Sequence, residues 1–189
     1  MDSAIEITAV LFNIAYVILA ARKSIWCWPM GIIGSALSVV LFYNSGLIAE
    51  SVLFVYYVLM GVYGWVQWNK NTEGNIELPI IQKTIGFHIL ILIFGYACTA
   101  ALFYVLKNFT AAQMPLLDSF TTVFSFIATW MVARRLLENW IYWIAIDALT
   151  VYLYLSRDLE IYAVLSLIYT FMAIYGYGVW RNQFQKQEN

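Results

Sequence analysis

Apolar residues run almost unbroken along this chain, and short polar connections divide them into seven segments. These lie at 4–21, 25–43, 47–68, 84–106, 116–133, 139–155 and 159–180. Segments of about 20 residues are long enough to cross about 30 Å of hydrocarbon as helices. Lipid offers the backbone no partners, so a spanning segment must close its own hydrogen bonds. Unbroken apolar runs also lack the alternation of a transmembrane barrel strand. The pattern predicts an all-α integral membrane protein with seven transmembrane helices.

Composition agrees: 63% of the 189 residues are hydrophobic and 11% are charged, against about a quarter charged in soluble proteins. The formal net charge of −1 argues against a general nucleic-acid binder. Cys27 and Cys98 fall inside spans, so neither a disulfide framework nor a metal site is expected. With one histidine, no metal-ligand cluster and no nucleophile beside a base, the chain does not read as an enzyme, and no cofactor is expected. The first span follows Asp2 and Glu6 instead of a basic stretch, so it reads as a retained helix.

Charge along the chain sets an orientation. Arg22, Lys23, Lys70, Lys83, Arg134, Arg135, Arg181 and Lys186 fall on one side of the spans, and Lys107 and Arg157 on the other. Basic loops stay in the cytoplasm, so the N-terminus is expected outside and the C-terminus, with a tail at 181–189, inside. The polar stretch "NKNTEGNIELPIIQK" (69–83) is too short for a soluble domain and reads as a cytoplasmic linker.

The two ends of the chain repeat one another. A shift of 112 residues carries Ala21 onto Ala133, Arg22 onto Arg134 and Trp28 onto Trp140 without a gap. The same shift carries Tyr63, Gly64 and Trp68 onto Tyr175, Gly176 and Trp180, and Leu47 and Tyr57 onto Leu159 and Tyr169. Residues 1–68 and 116–180 therefore form two three-helix units. Three crossings reverse the side of the membrane, and the linking helix at 84–106 restores it, so the units are parallel in a 3+1+3 order. Parallel repeats of this kind occur in transporters, with substrate near the midplane between them.

The sixth span, "ENWIYWIAIDALTVYLYL" (138–155), carries a carboxylate in its middle. At about 1.5 Å per residue Asp147 lies about 12 Å from residue 139, near the bilayer centre. An ionised Asp there costs at least about 2.5 kcal/mol, so it should face protein or a wet cavity. Trp140, Trp143, Asp147, Thr150 and Tyr154 follow steps of three and four and share one face. Aromatic rings attract a cation over their faces, and a carboxylate adds counter-charge or accepts hydrogen bonds. The stripe suits a flat organic cation bearing a sugar or alcohol, although a neutral sugar also stacks on tryptophan. Structural readings stand beside this one: Trp140 as an interfacial anchor, and Asp147 as a helix–helix hydrogen-bonder. In the first repeat the counterparts of Trp143, Asp147 and Thr150 are Gly31, Ser35 and Ser38, so the site is expected to be asymmetric.

Further candidates are Asn13 and Tyr16 in the first span, Glu50 in the third, Thr122 and Ser125 in the fifth, and Tyr169 and Tyr175 in the last. Asp118 reads as a helix-start acid or part of an outer entrance, and His88 as a structural hydrogen-bonder.

"SIWCWPMGI", "YYVLMGVYGWVQW" and above all "ENWIYWIAID" resemble the Pnu family of bacterial B-vitamin transporters. Trp140, Trp143 and Asp147 fit that family's WxxWxxx(N/D) motif. The resemblance implies a SWEET-like 3+1+3 fold in the bacterial inner membrane. It also implies facilitated diffusion of a vitamin into the cytoplasm, followed by trapping through phosphorylation by a cytosolic kinase. Nicotinamide riboside, a pyridinium cation with a ribose, is the expected substrate; thiamine is the alternative, and neutral riboflavin belongs to the wider family. The expected partners are this vitamin and the lipid bilayer, with a homo-oligomer compatible.

Overall fold

The computed structural model describes residues 2–44, 48–70, 79–110, 112–158 and 160–188. They contain seven helices: α1 (Asp2–Ala21), α2 (Cys27–Asn44), α3 (Ile48–Asn69), α4 (Ile85–Phe109), α5 (Pro115–Ala133), α6 (Asn139–Leu155) and α7 (Glu160–Glu188). The seven expected spans are thus all helical. Six are long and apolar enough to cross a membrane on those grounds alone. The other is α6, 17 residues long with Asp147 at its middle.

The turns after α1 and α5 are built alike. Ser24 N–H donates to Leu19 O at 2.9 Å and Lys23 N–H to Ala20 O at 3.0 Å. Leu136 N–H donates to Met131 O at 3.0 Å and Arg135 N–H to Val132 O at 2.9 Å. Both are Schellman closures, with Lys23 (φ 55°) and Arg135 (φ 56°) in the left-handed region where glycine is usual. A basic side chain there suits the negative end of a helix dipole.

Four tryptophans meet beside these turns. Trp68 Nε1–H donates to Ala133 O at 3.2 Å, and Trp180 Nε1–H donates to Ala20 O and Ala21 O at 3.1 Å. Each thereby reaches carbonyls at the end of another helix, where no following turn of that helix can bond them. Trp28 meets Trp68 edge-on at 5.4 Å, Trp140 meets Trp180 edge-on at 5.5 Å, and Trp68 and Trp180 lie 6.3 Å apart. A Cβ added at Gly64 would collide with the Trp28 ring, and one at Gly176 with the Trp140 ring. Only glycine lets the indoles lie this close to α3 and α7.

The helices pack in chain order within each end of the chain, α3 also meets α5, and α7 also meets α1. The helix α4 packs on α5. Two features add to the expected outline. The end of the linker packs into the fold: Ile80 is buried, and Ile81 forms a parallel bridge with Leu136. In addition, the expected tail is helical, α7 continuing through Glu188 with Phe184 packed against the tryptophan core. Residues 71–78 of the linker lie outside the described residues.

Gly176→Ala should lower stability by about 1–3 kcal/mol, the usual effect of overpacking, because the Trp140 ring must move. Thermal unfolding followed by fluorescence checks this; an unchanged midpoint would mean the ring-to-backbone contact is loose.

Candidate functional site

Asp147 is eight residues from each end of α6 (Asn139–Leu155), so about 12 Å of helix separates it from either end. Its carboxyl group lies within electrostatic range of the phenols of Tyr57 in α3 and Tyr169 in α7. Tyr154, two turns along α6, belongs to the same group of interacting phenols. Tyr57 also shares a side-chain hydrogen bond with Ser125 of α5. Four helices thus bring Tyr57, Ser125, Asp147, Tyr154 and Tyr169 together. Tyr57 and Tyr169 are 112 residues apart, so matching positions of the two ends of the chain flank one acid.

The neighbouring Tyr56 fixes this arrangement from behind. Its hydroxyl donates to Phe126 O at 2.8 Å, and its ring lies 4.1 Å from that of Phe126. Tyr57 was not singled out by the sequence, although its offset from Tyr169 was visible. Its neighbour Asp147 is 90 positions away in the chain, and only packing reveals that pair.

The other candidates divide. Trp143 is half-buried on the Asp147 face and packs against both hydrophobic cores. Trp140 is 3% exposed and lies in the tryptophan core, its indole N–H without a partner among the described residues. Thr150 donates to Ile146 O at 2.8 Å, as its counterpart Ser38 does to Gly34 O at 2.9 Å. Its oxygen still accepts. Tyr16 lies over Gly31 and Asn13 lies over Gly34, so the small residues of α2 are filled by α1. Tyr16 still reaches the phenol group through Tyr57. Thr122 is half-buried on α5, with no role resolved. Tyr175 does not join the site: it is 57% exposed and lines an apolar groove of about 280 Å³ between α1 and α7. The side chain of Glu50 lies outside the described residues.

Charge is distributed unevenly. Among the described residues Arg157 and Asp118 form an ion pair at 2.7 Å, and His88 Nε2 lies 3.5 Å from Glu138 Oε1. Neither involves Asp147, so no basic side chain there neutralises its charge. Asp118 therefore fastens α5 to the end of α6, which favours its structural reading. At the other end of α6, burial and the neighbouring Arg134 hold Arg135 below its ordinary pKa. The arrangement around Asp147 offers one carboxyl group, several phenol hydroxyls and the Trp143 indole. Such a lining orients a flat cation and takes hydrogen bonds from its hydroxyls.

Comparison with known proteins fits this geometry. Residues 3–182 match the family described as Nicotinamide mononucleotide transporter. The nicotinamide riboside transporter PnuC of Escherichia coli (strain K12) is 23% identical over 94% of this chain and 85% of its own length. The PnuC of Neisseria mucosa is 25% identical over 95% of this chain and 72% of its own. The riboflavin/roseoflavin transporter RibM of Streptomyces davaonensis is 23% identical over 86% and 77%. The crystal structure of the vitamin B3 transporter PnuC superposes with a TM-score of 0.79 over 98% of this chain and 83% of that one, at 22% identity, so the fold is shared.

With no basic partner among the described residues, Asp147 should cost the ligand-free protein stability. Asp147→Asn should stabilise it by about 1 kcal/mol or more, on the scale of intramembrane acids, and so raise the unfolding midpoint. Thermal unfolding without ligand tests this, and a lower midpoint would show that the carboxylate holds a structural hydrogen bond.

Proposed function

The chain belongs to the nicotinamide mononucleotide transporter family, and we propose that it carries nicotinamide riboside into the cytoplasm by facilitated diffusion. The observation that carries this reading is a carboxyl group at the middle of α6, within electrostatic range of Tyr57 and Tyr169, with no basic side chain among the described residues paired to it. A pyridinium supplies the missing counter-charge, Trp143 a stacking surface, and Tyr57, Tyr154, Tyr169 and Thr150 partners for the ribose. The names of the PnuC relatives support the same substrate. These relatives give no support to thiamine, and neutral riboflavin leaves the acid without a counter-ion.

The proposal favours the riboside over the mononucleotide of the family's name. A phosphate carries about −1.5 to −2 charges at neutral pH and would be repelled by Asp147. A kinase in the cytosol would then trap the vitamin by adding that phosphate. No second charge accompanies Asp147 at its depth in the sequence, so ion coupling has no evident carrier and uniport follows. We assign the helices to two parallel units, α1–α3 and α5–α7, joined by α4, with the N-terminus outside. The matched turns and the reciprocal indole bonds support that arrangement, and rocking of one unit against the other would expose Asp147 to each side in turn.

Titration of the purified protein, followed by tryptophan quenching, tests the reading. Nicotinamide riboside should bind, with Asp147→Asn weakening it about tenfold, equivalent to about 1.4 kcal/mol. The mononucleotide should bind at least about 100-fold more weakly, since like-charge contact costs several kcal/mol. Tighter binding of riboflavin or thiamine, or uptake into liposomes that collapses with a protonophore, would refute the respective parts.

A further inference from the structure

The site depends on which face α6 turns inward, and the structure holds that choice from another side of the helix. Glu138 precedes α6, and Tyr142 and Ile146 follow at steps of four, forming a stripe distinct from Trp143 and Asp147. Adjacent helix positions differ by about 100°, so fixing Tyr142 fixes the direction of Trp143.

The polar end of this stripe is tied to the segment that leads into α4. Glu138 Oε1 accepts from Lys83 N–H at 3.0 Å and lies 3.5 Å from His88 Nε2. His88 Nδ1 is 3.1 Å from the Tyr142 hydroxyl. If that hydroxyl donates to Nδ1, the imidazole carries a proton on Nε2, on the side of Glu138, a contact of proximity without a hydrogen bond. Backbone pairing reinforces the tie: Ile81 N–H donates to Arg135 O at 3.0 Å, and Leu137 N–H donates to Ile81 O at 2.9 Å. Ile80 is 3% exposed, and its N–H donates to Gln187 Oε1 at 3.1 Å. Below Glu138 the stripe is apolar: Tyr142 lies near Phe124, and Ile146 is 3% exposed.

Among the described residues, the other end of the chain shows no such device. The 112-residue shift carries Glu138 onto Trp26, which is 63% exposed, and Tyr142 onto Met30. His88 has no counterpart, because α4 falls outside the repeat. The tie is therefore present only where the repeat carries an acid in mid-helix.

We propose that Glu138 is a positioning residue for the transport site: through Lys83, His88 and Tyr142 it sets the rotation of α6 that turns Trp143 and Asp147 toward Tyr57 and Tyr169. The proposal rests on the substrate reading above. It is tested on the full chain in detergent with Glu138→Ala, Glu138→Gln, Tyr142→Phe and, as the repeat-related control, Trp26→Ala. Glu138→Ala should weaken nicotinamide riboside binding about tenfold, as misplacement of a site by a fraction of an ångström does. The conservative Glu138→Gln keeps an acceptor for the Lys83 amide and should restore binding to within about twofold of wild type, as should Trp26→Ala. Hydrogen exchange of the α6 amides 141–150, which needs no ligand, should quicken about tenfold in Glu138→Ala. Tyr142→Phe keeps the packed ring and should weaken binding about threefold, which serves if Glu138→Ala does not fold. Unchanged binding and exchange in Glu138→Ala and Tyr142→Phe would overturn the proposal, and so would an equal loss in Trp26→Ala. A wild type that ignores nicotinamide riboside would overturn the substrate reading instead and leave amide exchange to decide the positioning role.

Discussion

Hydrocarbon offers a polar group nothing to bond with, and the fold answers that constraint at every level. Inside the spans the backbone bonds itself, and Ser38, Thr129, Thr150 and Thr170 turn their hydroxyls back onto carbonyls one turn earlier. At the ends of α1 and α5 the last carbonyls cannot bond within the helix. Part of that need is met across the molecule, by Trp68 on Ala133 and by Trp180 on Ala20 and Ala21. Each end of the chain thus completes a helix of the other. The four indoles that gather there also form a buried core where the loops would otherwise face one another.

This reciprocity uses residues matched by the 112-residue shift, and so do the left-handed turns at Lys23 and Arg135. The backbone devices are common to both ends, whereas the chemistry is not. Small residues of α2, Gly31 and Gly34, admit Tyr16 and Asn13, so that end spends its equivalent positions on close helix packing. The corresponding stretch of α6 carries Trp143 and Asp147. A symmetric frame thereby holds a one-sided site, and α4 packs on α5, on the side that carries it.

A single acid in such a frame has a cost that function repays. No basic residue among those described pairs with Asp147, and in the proposed reading a cationic ligand supplies that partner. Phenols suit that setting better than amines would, because they donate hydrogen bonds without cancelling the charge. Facilitated diffusion also needs binding weak enough to release, and in the proposed reading one charge with several modest hydrogen bonds meets that need better than a fully paired cage.

The sequence by itself determined the class, the seven helices, the 112-residue repeat and the place of Asp147 at the middle of its helix. Each of these depends on local hydropathy, spacing or rise per residue, and lipid leaves the backbone no other option. It also put Trp143, Asp147 and Tyr154 on one face of α6, since helical periodicity is fixed. It did not say which aromatic rings would meet that face. Trp140 went to the tryptophan core because Gly176 leaves room for its ring there, and Tyr175 turned outward although it shares α7 with Tyr169. Tyr57 entered the site through a bond to Ser125, 68 positions away, and Glu138 found Lys83 and His88 across 55 and 50. Those pairings are set by the rotation and approach of packed helices, a tertiary property that periodicity along one chain does not encode.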